Sequence, residues 1–134
     1  DIAEGLERLN KTVRRHGVMF LISDFEDTGY EHDLRVTARR FDLVPIWVQD
    51  PREFDLPDVS ALLDVVAPET GVRRKLDLRN AGMRARFHRE AEDRRARVEK
   101  IFKASGLDWI PVQTDKPYIS NLIRFFQERA KRFR

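Results

Sequence analysis

Residues 18–29 read Val18-Met19-Phe20-Leu21-Ile22-Ser23-Asp24-Phe25-Glu26-Asp27-Thr28-Gly29, and the fold turns on this stretch. Five consecutive apolar residues mark a strand buried on both faces, as in a parallel sheet. The run then stops abruptly in a polar, acidic loop, with Asp24 closing the strand. Upstream, residues 1–15 carry Ile2, Leu6, Leu9 and Val13 at helical spacing. Arg14, Arg15 and His16 suit the negative end of that helix, and Gly17 supplies a stop. Downstream, a helix over about 30–40, with Leu34, Ala38 and Phe41 as its inner face, leads to a second apolar run, Leu43-Val44-Pro45-Ile46-Trp47-Val48. That run ends in Gln49-Asp50-Pro51-Arg52-Glu53. Two apolar strands with a helix between them make a βαβ unit. Pro45 cannot donate to a ladder, so the second strand is expected near an edge or at a bulge.

The rhythm then changes. Residues 61–66 and 72–78 are strand-like and flank Pro68-Glu69-Thr70-Gly71, so an inserted β-hairpin is expected over about 61–78. The longest helix follows over about 81–104, burying Met83, Phe87, Ala91, Val98, Ile101 and Phe102, and Gly106 ends it. A third core strand, Trp109-Ile110-Pro111-Val112-Gln113-Thr114, precedes a last helix opened by Pro117, whose inner face is Ile119, Leu122, Ile123, Phe126 and Ala130. The expected class is therefore α/β: a partial doubly wound, Rossmann-like parallel sheet of about three core strands flanked by helices, with the hairpin inserted. Three strands are few. A chain that feeds a helix into so apolar a strand is expected to be the C-terminal part of a larger domain, with earlier strands on the other side. The start on Asp1 in place of Met fits that expectation.

Composition narrows the function classes. The 134 residues are 41% hydrophobic and 37% charged, ordinary for a globular domain. No segment approaches the ~20 apolar residues of a membrane span and no leader-like run opens the chain. Cysteine is absent, which removes disulfides, thiolate metal sites and cysteine nucleophiles; a cytoplasmic setting is expected. The net charge of +3 and pI near 9.5 invite a nucleic-acid reading. However, the nine Lys/Arg of residues 79–103 are interleaved with four Asp/Glu, the pattern of a solvated helix face. Only the tail, Arg129-Ala130-Lys131-Arg132-Phe133-Arg134, is a basic cluster.

In open parallel sheets, ligands bind beyond the carboxyl ends of the strands. The residues there are Ser23, Asp24, Glu26 and Asp27, then Asp50, Arg52 and Glu53, then Thr114 and Asp115. Carboxylates and hydroxyls without Cys or a well-placed His suit a hard cation such as Mg²⁺. The plainer reading is ordinary loop acids and helix caps, above all for Asp27 and Thr28. Ser23 has no evident His partner, since His16, His32 and His88 read as solvated helix residues, so nucleophilic catalysis has no base. Asp50 and Glu53 as an acid/base pair stay open. The six glycines are scattered and form no phosphate-binding loop.

Taken in order, 18–25, Asp50-Pro51-Arg52-Glu53, Leu56-Pro57-Asp58-Val59, Pro68-Glu69-Thr70-Gly71 and the closing Phe125-Phe126-Gln127-Glu128-Arg129 resemble the bacterial domain-of-unknown-function family fifty-eight, whose members carry a von Willebrand factor A-like domain. The resemblance runs over essentially the whole chain. It implies that residues 1–134 are the C-terminal half of such a domain. The intact domain would be metal-dependent, with Mg²⁺ held at an adhesion site on top of the sheet. Asp24 matches the Asp after the fourth strand of that site. The Thr would fall just before Asp1 and the Asp-x-Ser-x-Ser loop further upstream, so this chain alone is expected to bind no metal well. Ser60 and Ala67 stand where the family more often has Gly and Asp.

What the resemblance implies of function is a non-catalytic protein-interaction or adaptor module. It would work with a MoxR-type AAA+ ATPase and its client in assembly or maturation of protein complexes. Ser23, Glu26, Asp50, Arg52 and Glu53 are the expected partner-binding residues around Asp24. Two other classes stand beside it: a nucleic-acid-associated basic module using the 79–103 helix and the tail, and a metal-dependent hydrolase using the same carboxylates. A strand left open at 18–22 would also pair with a second copy, giving a homodimer.

Overall fold

A computed structural model describes residues 1–54, 56, 61–66 and 70–132, the last by its backbone. Two compact units divide the chain. The first combines Asp1–Asp50 with Ala96–Arg134 and the second is Pro51–Arg95.

The first unit holds a three-stranded parallel sheet in the order β1 (Val18–Ser23), β2 (Asp42–Gln49), β5 (Ile110–Gln113). Val18 pairs with Asp42 through to Ser23 with Trp47, and Ile46–Gln49 pair with Ile110–Gln113. The central strand is β2, which corrects the edge placement expected from Pro45. The register explains how proline is tolerated there. The Asp42 N–H bonds to the Gly17 carbonyl on the β1 side, and the Gln49 carbonyl accepts from Thr114 on the β5 side. Alternation along the strand turns Pro45 to the β5 side, one residue before that ladder begins at Ile46. Its missing N–H costs no sheet bond.

Helices lie on both faces. On one, α1 (Ile2–Thr12), α2 (Glu31–Arg40) and the last turns of α3 (Ala81–Ala104) enclose the core of Leu6, Phe25, Tyr30, Leu34, Leu43, Trp47, Val98, Phe102 and Leu107. On the other, α4 (Ile119–Arg132) packs Phe126 edge-on against Phe20, pairs Arg129 with Asp42 and bonds Asn121 Nδ2 to the Pro111 carbonyl at 3.0 Å. The α/β class and the three-stranded parallel sheet flanked by helices are as the sequence led us to expect.

Three expectations are corrected. Helix α1 stops at Thr12, before Gly17, because the Arg40 guanidinium donates to the Asn10 and Val13 carbonyls and closes the helix end from α2. Strand β1 is not buried on both faces: Val18, Phe20 and Ile22 are 53%, 48% and 65% exposed. By the same alternation their backbone groups point away from β2, so β1 is an open edge. The stripe on α4 is likewise uncovered at Ile119, Ile123, Phe126 and Ala130; Leu122 is half-buried.

In the second unit, β3 (Leu62–Val66) and β4 (Arg73–Asp77) form the expected antiparallel hairpin, with Gly71 at φ 67° in its turn. Asn80 then caps α3, its Oδ1 accepting from Gly82 and Met83. Along α3, Ala91, Val98 and Phe102 are buried, whereas Met83, Phe87 and Ile101 are half-buried. At its far end Gly106, at φ 68°, supports a Schellman turn in which Leu107 N–H reaches the Phe102 carbonyl. The 57–60 and 67–69 parts of the quoted motifs, including Ser60 and Ala67, and the last two tail residues lie outside the described residues.

Candidate functional site

The carboxyl end of the sheet is organised by one reversal. Phe25 adopts a left-handed backbone, φ 58°, unusual for a bulky residue and costing about 1–3 kcal/mol. Its ring offsets that cost by entering the core edge-on to Phe102 at 4.8 Å and beside Tyr30 at 5.9 Å. The Trp47 Nε1–H, from the neighbouring strand, fixes the turn by donating to the Asp24 carbonyl at 3.0 Å. Phe25 is thereby drawn inward while the Asp24 side chain remains exposed.

The acids around this turn then separate by role. Asp24 Oδ1 accepts from Glu26 N–H at 3.2 Å and from Ser23 Oγ at 3.4 Å, and Ser23 Oγ accepts from Phe25 N–H. Asp24 Oδ2 takes no hydrogen bond among the described residues. Asp27 is structural. Its carboxylate receives Ile2 N–H at 2.8 Å and Thr28 N–H at 2.9 Å, and these bonds, Ile2 foremost, hold its pKa below the usual carboxylate value. Asp27 therefore ties the loop to the start of α1, as the plainer reading expected.

Ser23, Asp24 and Glu26 are thus gathered by one turn, and Asp50 follows the end of β2, three residues past the register partner of Ser23. Arg52 and Glu53 sit exposed on a short 3₁₀ turn, Pro51–Glu53, that belongs to the second unit. Thr114 continues the β5 edge through its bond to Gln49. The sequence reading missed two residues near this end of the sheet. Gln49 and Tyr30 are buried, yet Gln49 Nε2 and the Tyr30 hydroxyl have no hydrogen-bond partner among the described residues. Gln49 had passed for the first loop residue and Tyr30 for a helix start; only their place on the core side of the sheet makes them buried polar groups.

The chemistry open to this arrangement is limited. Among the described residues, no group of three His, Cys, Asp or Glu could hold a metal ion. A single carboxylate does not hold Mg²⁺ against its hydration shell, so these residues do not fit a complete site and no metal-dependent step follows from them. Ser23 is engaged with its own turn. Of the histidines, His16 Nδ1 bonds the Arg40 carbonyl at 2.7 Å and His88 Nδ1 lies 3.3 Å from the Phe54 carbonyl. No described helix is long and apolar enough to cross a membrane.

With this geometry in hand, comparison with known proteins is informative. DUF58, described as a protein family of unknown function, matches residues 1–97. The chain belongs to the DUF58 family. An uncharacterized protein of Mycobacterium avium is 32% identical over 134 residues, covering 98% of this chain and 77% of its own length. Uncharacterized proteins of Mycobacterium tuberculosis and Mycobacterium bovis are 33% identical over 134 residues. This DUF58 chain covers 41% of their length, so it spans about two-fifths of those relatives. No solved structure matches it.

Proposed function

We propose that this DUF58 chain is a non-catalytic protein-interaction module, the C-terminal half of a von Willebrand A-like domain. The observation that carries this reading is the open β1 edge, where Val18, Phe20 and Ile22 are exposed on an apolar strand of a parallel sheet. Parallel sheets are ordinarily buried on both faces. An apolar edge without Lys, Pro or a bulge is a strand acceptor. In the intact domain the acceptor is filled by a preceding strand of the same polypeptide, and the longer mycobacterial relatives have ample chain to supply one. Where that strand is lacking, the edge pairs with a second copy.

Asp24 is the residue we assign to the interaction itself. Its exposed carboxylate, with one oxygen open, is suited to be one ligand of a Mg²⁺ site completed by groups outside these 134 residues. Ser23, Glu26 and Asp50 would border the partner at that end of the sheet. The partner class is other proteins, with a MoxR-type AAA+ ATPase and its client as the specific proposal. Asp24→Ala in the full-length protein should abolish Mg²⁺-dependent association with that ATPase, measured by calorimetry with and without chelator. Association that is unchanged and still Mg²⁺-dependent would remove Asp24 from the site.

A further inference from the structure

The hairpin unit carries a second surface of different chemistry. Residues 62–89 hold seven Lys/Arg against three Asp/Glu, a balance of +4 in a chain whose total is +3. Residues 90–134 carry the same +4 and residues 1–61 a balance of −5, so the hairpin and the start of the long helix are one of two basic stretches. Asp77 is already clasped by Arg79 at 2.8 Å, and Arg86 is paired with Glu90. Arg73, Arg74 and Lys75 are consecutive on β4 and all exposed; of the three, Arg74 lies near enough to Glu90 to help Arg86 hold its pKa below the usual carboxylate value.

Beside these bases the hairpin exposes aliphatic side chains. Leu62, Val65, Val66 and Val72 are between 41% and 61% exposed. The register sets Val66 opposite Arg73 and Val65 opposite Arg74, while Asp64 faces Lys75. Because successive residues alternate, Val66 and Leu62 lie on one face of the ribbon and Val65 on the other. A docked protein surface would cover one such face. A medium that meets both faces at once, apolar beneath and anionic above, is the interfacial layer of a lipid bilayer. Single-stranded nucleic acid fits less well, since it stacks on exposed aromatic rings, and the exposed large apolar side chains of β3, β4 and their turn, Leu62, Val65, Val66 and Val72, are aliphatic.

We infer that the β3–β4 hairpin and the start of α3 form a peripheral docking surface for anionic phospholipid bilayers. The aliphatic side chains enter the interface and Arg73, Arg74 and Lys75 meet headgroup phosphates. This rests on the second unit alone and is independent of the role proposed for β1 and Asp24.

Flotation of the 134-residue chain with phosphatidylcholine vesicles, with and without about one-third phosphatidylserine, tests it. Binding is expected to the anionic vesicles alone. Each base near the surface is worth about fivefold in partitioning, so Arg73→Ala with Arg74→Ala and Lys75→Ala should weaken binding about a hundredfold. Val66→Ser with Val72→Ser should weaken it at low and high salt alike. These side chains are exposed, so an unchanged circular dichroism spectrum is expected; if a variant misfolds, the salt dependence of the wild-type chain is the readout in its place. Absence of binding to anionic vesicles, equal binding to neutral ones, or tighter binding to an oligonucleotide than to vesicles would each overturn the inference.

Discussion

Replacing Phe102 by alanine should nearly unfold the first unit, and the structure says by how much. The ring is fully buried. It meets Phe25 edge-on at 4.8 Å, Trp47 at 6.0 Å and Trp109 at 5.4 Å. Burial lost plus the cavity left behind costs about 3–5 kcal/mol for a Phe→Ala change, with the Phe25 contact adding roughly 0.5–1.5 kcal/mol. We take about 4 kcal/mol as the expected loss, a large part of the roughly 5–15 kcal/mol that holds a domain folded. With a urea slope of about 2 kcal/mol per molar, the midpoint should fall by about 2 M. Fluorescence is the natural assay, because both tryptophans lie against this ring. The control is Phe126→Ala on α4, which is part-exposed and should cost only about 1 kcal/mol. A loss below about 1 kcal/mol at Phe102, or equal losses at the two positions, would refute this account of the core.

Tyr30→Phe removes a buried hydroxyl that has no hydrogen-bond partner among the described residues, so stability at neutral pH should rise by about 1 kcal/mol; a fall of that size would show that the hydroxyl has a partner. Burial also pushes the Tyr30 pKa up to about 12, above its ordinary value of 10.0. The buried neutral phenol thus contributes stability fully present below about pH 10 and lost between there and about pH 12, so the phenylalanine variant should survive alkaline titration better. Self-association through β1 is expected of the 134-residue chain at high concentration. Light scattering should find a dimer that Phe20→Lys returns to monomer, and a monomeric mass throughout would count against it.

Much of this was legible in the sequence, and the failures share a cause. The succession of helices and strands, the hairpin and both ends of α3 were readable because local chemistry sets them: Asn80 caps, Gly106 reverses, and period and run length separate helix from strand. The end of α1 was not readable, because a guanidinium about thirty positions away on α2 closes it. Pro45 misled for a similar reason, since its cost depends on where a ladder from β5 begins. The apolar run at 18–22 and the stripe on α4 both announced burial, but a sequence does not say whether the covering element lies within the chain. At the site, Asp24 and the capping role of Asp27 were visible as strand-end acids. The reversal at Phe25 was not, because nothing about phenylalanine favours a left-handed backbone; only its place between Tyr30 and Phe102 makes it pay.

The central claim is that β1 is an acceptor edge filled in the intact protein. Amide hydrogen exchange at Phe20 tests it most directly, because that N–H points away from β2 in the described structure. In the dilute, monomeric 134-residue chain Phe20 should exchange far faster than Leu21, whose N–H faces β2. In the full-length protein Phe20 should become as protected as Leu21. Equally fast exchange at Phe20 in both proteins would contradict the account.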